Sequence, residues 1–174
     1  EKIDAMQTAQ NTELDTSVEN SRMYYLSRNC IYGTDANPRM ARTSKMNMIM
    51  HGDGHGGVHH HDGLLNVNGI FEERFDVILT NPPFGQNVDK NQRISEADKF
   101  TDEEMKKKYK KKYGIAYDEA LKQVDDHIGK TLLSLYDLGS TSTLTEVLFM
   151  VRCLHLLKKG GRMGMVLPEG VLNN

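Results

Sequence analysis

The sequence predicts an α/β domain whose sheet is mostly parallel, with helices on its faces. Three observations carry this. Strand-like and helix-like segments alternate, in the order strand 30–34, helix 38–50, strand 58–61, strand 75–80, helix 144–158, strand 162–167. The strand at 75–80 holds Val77, Ile78 and Leu79 in succession, a run that suits burial on both faces. It then meets Pro82 and Pro83, which cannot donate backbone hydrogen bonds. The ladder must stop there, at the carboxyl end of a strand, where open α/β sheets place ligands.

Each element has a local reason. Residues 1–28 are polar and mixed, with a helix expected over 18–28 and a loop or link over 11–17. After the strand at 30–34, Asn37 is a good N-cap and Pro38 suits the first helical turn. That helix should run to Met50 and stop at Gly52. Thr101 and Glu104 have capping-box spacing and open a helix rich in lysine, from Lys106 to Lys112, interleaved with Tyr109 and Tyr113. Acids first and lysines last suit the helix dipole, so a solvated surface helix accounts for them. The competing reading is an arm that contacts phosphates. Tyr117, Leu121, Val124 and Ile128 mark a second helix ending at Gly129. The whole stretch of about 86–142 reads as an insertion, of the kind that is usually functional or mobile. Thr143 and Glu146 have capping-box spacing again. Leu144, Val147, Leu148, Val151 and Leu154 then form an apolar helical stripe expected to face the core, and Gly160 should close that helix.

Bulk properties narrow the function only a little. The chain has 174 residues, enough for one domain with a real core, and a formal net charge of −2. No global basic field points to nucleic acid, although local patches matter more. Cys30 and Cys153 form no paired framework, so a reduced cytoplasm is the expected setting. No apolar run reaches transmembrane length, and no membrane partner is expected. His51, Asp53, His55, His59, His60, His61 and Asp62 crowd one stretch, but glycines interrupt it. Neighbouring histidines on a strand also point to opposite faces, so no metal is expected there.

The chemistry concentrates in Asn81-Pro82-Pro83-Phe84. The Asn81 side-chain oxygen and the Pro82 carbonyl are both acceptors. Converging on one exocyclic amine, they would hold its hydrogens and leave the nitrogen lone pair free to attack. Phe84 is placed to stack on a flat ring, as aromatics do with flipped bases. The plainer alternative is a Pro-Pro turn after a strand.

These four residues resemble the catalytic motif of amino-group methyltransferases that use S-adenosylmethionine. Three further stretches strengthen the resemblance: Tyr32-Gly33-Thr34-Asp35-Ala36-Asn37-Pro38, the segment from Lys45 to Gly52, and the segment from Gly160 to Leu172. Together they look like the modification subunit of type I restriction-modification systems, which methylates adenine N6 in DNA. The resemblance covers roughly residues 24–85 and 140–174. It implies a Rossmann-like methyltransferase fold, of which this chain would be the central part of one catalytic domain. It also implies catalytic roles for Asn81, Pro82, Pro83 and Phe84. Asp35 would accept from the cofactor ribose, and Asp62 from the amine of the cofactor adenine. Leu64 or Leu65 would flank that ring, and Asn81 would border the cofactor site. Family members often carry a larger apolar residue where Ala36 stands, so adenine packing there is expected to be weak or supplied elsewhere. A solvated turn aspartate remains the alternative for Asp35.

The implied partners are DNA and the specificity and restriction subunits of the type I complex. The family's glycine-rich cofactor loop has no match, and Gly54-His55-Gly56-Gly57 neither follows a strand nor opens a helix. The loop is expected before residue 1, and the chain is read as a piece of a longer protein. By itself it is expected to bind S-adenosylmethionine weakly or not at all. The alternatives are an RNA or protein-glutamine methyltransferase, and a non-catalytic binding fragment.

Overall fold

The computed structural model describes residues 21–52, 57–136 and 143–172. The expected loop at 11–17, the start of the first helix at 18–20 and positions 53–56 of the histidine stretch lie outside them. The chain divides into two compact units, Glu1–Gly63 and Leu64–Asn174.

The first unit opens with helix α1, Arg22–Asn29, whose N-cap Ser21 accepts from the Tyr24 N–H at 3.0 Å. Strand β1, Tyr32–Asp35, helix α2, Pro38–Met50, and strand β2, Gly57–His60, form a β-α-β unit. The strands pair in parallel, from Tyr32 opposite Gly57 to Asp35 opposite His60. β1 starts later than 30 because Cys30 still closes α1, its N–H donating to the Leu26 carbonyl. Asn37 caps α2 as expected, its side chain accepting from Arg39 and Met40 N–H groups at 2.9 and 3.3 Å. Gly57 is needed where β2 meets β1: a Cβ there would collide with the Ile31 carbonyl and the Tyr32 ring.

The second unit holds another β-α-β unit. Strand β3, Phe75–Thr80, has the expected bounds. It pairs in parallel with strand β4, Leu157–Met165, and helix α5, Thr145–Leu156, precedes β4. The expected helix to 158 and strand from 162 are both corrected. α5 ends at Leu156, and β4 begins at the next residue. The pairing jumps from Phe75 opposite Leu157 to Val77 opposite Arg162, so residues 158–161 bulge out of the strand. Gly160 adopts φ +81° within the bulge, and Lys158 Nζ pairs with Asp76 at 3.1 Å.

The described residues thus contain two separate two-stranded parallel sheets, not one mostly parallel sheet. The expectation that Val77 to Leu79 is buried on both faces fails with it. Val77 is 59% and Leu79 81% exposed, because nothing among the described residues covers that face of the pair.

The insertion is also more than a loop. It forms helix α3, Glu103–Tyr113, helix α4, Ile115–Asp125, and two short 3-10 turns, Glu96–Asp98 and Leu132–Leu135. Its Ile94, Val124, Leu132 and Tyr136 build the core together with Leu64, Leu65 and Leu148. Tyr109 and Tyr113 of the lysine-rich helix turn inward. Tyr109 lies 5.9 Å from the Tyr117 ring, and Tyr113 packs edge-on against Phe71 at 5.4 Å. Arg74 sits 4.7 Å over the Tyr113 ring, a cation–π contact. Buried aromatics of this size each contribute about 1.5–3 kcal/mol.

Both expected capping boxes are corrected. Asp102, not Thr101, caps α3, accepting from the Met105 N–H at 3.0 Å. Leu144 stands at the N-cap of α5 and makes no side-chain cap bond. The apolar stripe on α5 is also shifted. Leu144 and Leu154 are exposed, while Thr145, Glu146, Leu148, Arg152, Cys153 and Leu156 face inward. Polar groups take inward positions here because several of them find partners there. Among the described residues no helix is long and apolar enough to cross a membrane.

Candidate active site

β3 carries the Asn-Pro-Pro-Phe motif out of its carboxyl end. The last ladder contact is the Val166 N–H donating to the Thr80 carbonyl at 3.2 Å. Asn81 follows at once and is exposed. Its side-chain amide makes no hydrogen bond among the described residues. Pro82 and Pro83 offer it no N–H to accept from, so the usual turn bond of an asparagine is closed to it. Pro82 is buried and Pro83 exposed, so the rigid pair is anchored by its first ring. Phe84 is 43% exposed, and Gly85 turns the chain with φ +65°, a conformation suited to glycine. Amide and ring therefore reach the surface on either side of the proline pair.

The loop then returns to the start of α5. The Gln86 carbonyl accepts from both the N–H and the Oγ1 of Thr145, each at 3.0 Å. Thr143 Oγ1 donates to Asn87 Oδ1 at 2.8 Å, and the Val88 N–H to the Thr143 carbonyl at 2.9 Å. Glu146 lies in the first turn of α5, 4% exposed, with Oε2 lacking a partner among the described residues. The positive end of the helix dipole offsets part of that cost.

The first unit brings Asp35 and Asp62 to the same end of its sheet. Asp35 closes β1, and the His61 N–H donates to its carbonyl at 3.2 Å, one residue before Asp62. The Asp35 carboxylate does turn work with one oxygen: Oδ1 accepts from the Asn37 N–H at 2.8 Å. Ala36 is exposed, and its carbonyl accepts from His60 Nε2 at 3.1 Å, which places the proton on that nitrogen. Leu64 is 4% exposed and lies in the hydrophobic core of the second unit, its carbonyl accepting from the Tyr136 hydroxyl. Among the described residues no group of three His, Cys, Asp or Glu side chains is arranged to hold a metal ion.

Sequence reasoning missed Thr143, Thr145 and Arg152. Thr143 was visible only as the first residue of a capping box with Glu146, Thr145 carried no signal, and Arg152 stands between Val151 and Leu154 of the apolar stripe.

The exposed Asn-Pro-Pro-Phe past β3 resembles the motif of methyltransferases that act on amino groups. Residues 15–131 match the model of the N-6 DNA Methylase family, and the chain belongs to that family. Its members methylate DNA at adenine N6. No curated protein matches the chain.

Proposed function

We propose that this chain is the central part of the catalytic domain of a type I restriction-modification modification subunit. It would transfer a methyl group from S-adenosylmethionine to adenine N6 in DNA. The observation that carries this reading is the Asn81 amide, exposed past the end of β3 without a hydrogen-bond partner among the described residues, between the strand and the Phe84 ring. The segments resembling that subunit, from Lys45 to Gly52 and from Leu167 to Leu172, favour it over an RNA or protein-glutamine methyltransferase. The family match favours DNA as well.

The residues present suit part of the cofactor. Asp35 and Asp62 stand at the carboxyl ends of neighbouring parallel strands, where carboxylates meet a ribose and an adenine amine. The second Asp35 oxygen remains available, because only Oδ1 is engaged by the turn. Ala36 borders that position, and Leu64 enters only as support for the segment that follows Asp62. The bound cofactor would supply an electrophilic methyl group on sulfur. Asn81 and the Pro82 carbonyl would accept the two hydrogens of the adenine amine and turn its lone pair towards that methyl. Pro83 keeps the carbonyl stiff, and Phe84 stacks on the flipped base. Positioning does most of this work, so no general base is assigned.

In this reading the whole domain has a Rossmann-like fold, as the resemblance implies. DNA, a specificity subunit and a restriction subunit are the proposed partners, in the cytoplasm.

The test is Asn81→Ala in the full-length protein with its partner subunits. Losing one positioned acceptor should lower the methylation rate on the order of 10²–10³-fold. Cofactor binding should survive. Methylation at the wild-type rate would reduce Asn81 to a turn residue.

A further inference from the structure

Between the last ladder contact of β3, at Thr80, and the first bond to α5, at Gln86, lie five residues, 81–85. Pro82 and Pro83 each have φ fixed by their rings. The freely rotating φ angles in this loop therefore belong to Asn81, Phe84 and Gly85. β3 fixes Asn81 from one side. Phe84 and Gly85 depend on whatever fixes Gln86.

Two threonines do that. The Thr145 N–H and Oγ1 both donate to the Gln86 carbonyl at 3.0 Å, and Thr145 is 8% exposed. The Thr145 side of the bond is thus buried, while Gln86 itself is exposed. One residue further on, Thr143 Oγ1 holds Asn87 Oδ1 at 2.8 Å, and an isolated antiparallel bridge pairs Asn87 with Leu144. A threonine at Thr143 would ordinarily serve the helix that follows it. Here its hydroxyl is turned away from α5 and onto the loop.

Resting on the methyltransferase reading above, we propose that Thr145, assisted by Thr143, is a positioning residue for Phe84. By clamping Gln86 it sets the angle at which the ring meets the target base. It touches neither base nor cofactor, and it acts through the backbone of the loop.

The experiment uses the full-length protein, with Thr145→Val, Thr145→Ser, Thr143→Ala and Asn81→Ala compared side by side. Rates are read on DNA with adenine at the target, and a parallel duplex carries 2-aminopurine there, which has no N6 amine to methylate and reports only, by its fluorescence, how the flipped base is stacked. A small misplacement of a reacting group costs on the order of 10–100-fold in rate. Thr145→Val should therefore lower kcat on the adenine substrate by about tenfold or more and raise the fluorescence of the bound 2-aminopurine duplex, because a poorly stacked base is less quenched. Its KM for S-adenosylmethionine should stay at the wild-type value. Thr145→Ser, which restores the donor, should recover most of the rate. Thr143→Ala, at an exposed bond, should act in the same direction but less strongly, and it guards against a folding defect in the buried variant.

Wild-type kcat in both Thr145→Val and Thr143→Ala, with Asn81→Ala inactive, would overturn the clamp and leave the methyltransferase reading standing. So would a Thr145→Val that loses cofactor binding, base stacking and thermal stability in equal proportion, since that marks a merely structural role. Wild-type activity in Asn81→Ala would overturn the methyltransferase reading and the clamp with it.

Discussion

Arg152 donates from Nη1 to Asn66 Oδ1 at 2.8 Å, in the interior of the second unit. Its Nη2 donates to the Leu65 carbonyl, also at 2.8 Å, and the side chain is 3% exposed. One planar guanidinium thus fastens α5 to the segment that begins at Leu64. Arg152→Met would keep most of the volume and leave two buried acceptors without their donor. Each such loss costs roughly 1–3 kcal/mol. We expect a fall of about 2–5 kcal/mol in unfolding free energy, read from urea denaturation. Arg152→Lys should recover only part of it, because an ammonium lacks the fork. An unchanged midpoint in the Met variant would mean that the pair is incidental.

Tyr117 offers a test by pH. Burial, followed by the negative charges of Asp102, Asp118 and Glu103, pushes its hydroxyl up to about 12. The folded value lies above the unfolded value of about 10. The protonated form is thus favoured by folding. Its contribution is complete below about pH 10 and is lost as the pH climbs from 10 towards 12. The hydroxyl also lacks a hydrogen-bond partner among the described residues. Tyr117→Phe should therefore match or slightly exceed the wild type in stability at pH 7 and show a flatter decline above pH 10. Denaturation midpoints measured across that range decide it, and parallel alkaline limbs would contradict the placement of Tyr117.

The two thiols should differ sharply. Cys30 is exposed, whereas Cys153 faces inward on α5, and burial pushes its thiol up against the opposing pull of Arg152. Thiolate is the reactive form. A thiol reagent at pH 8 should label Cys30 within minutes and Cys153 only after denaturant is added. Equal rates in the native protein would show that α5 presents a different face.

Some elements were legible because local chemistry alone decides them. Asn37 and Pro38 start α2 by capping and by ring geometry, and the expected bounds of 38–50 match Pro38–Met50. The strand at 75–80 matches too, since β-branched residues on one side and prolines on the other bound it. Elements decided by distant partners were not legible. Thr143 and Glu146 have capping-box spacing, but the Thr143 hydroxyl bonds the loop after Phe84 instead, as does that of Thr145. The stripe from Leu144 to Leu154 satisfies helical periodicity. The face that turns inward is instead the one bearing Arg152, because Leu65 and Asn66 need its donors.

The same split runs through the candidate site. The exposure of Asn81 and Phe84 followed from Pro82 and Pro83, which end the ladder on their own account. Asp35 was anticipated as a ligand or as a turn residue. One of its oxygens serves the turn, accepting from the Asn37 N–H. Leu64 was expected beside a ligand, and its place in the core depends on Tyr136 and Leu132, some 70 residues away in sequence.

The bridge between Asn87 and Leu144 gives the excursion between them a narrow neck. Chain leaves and re-enters the fold at one point, so residues added or removed at the outer end leave the neck unchanged. Lengthening such an excursion is cheap, about 0.6 kcal/mol for each doubling. Yet Ile94, Val124 and Leu132 in the excursion fill the same core as Leu148 of α5. Extra length is therefore cheap at the tip of the excursion, while its root is tied to the rest of the unit by the core it shares with Leu64, Leu65 and Leu148.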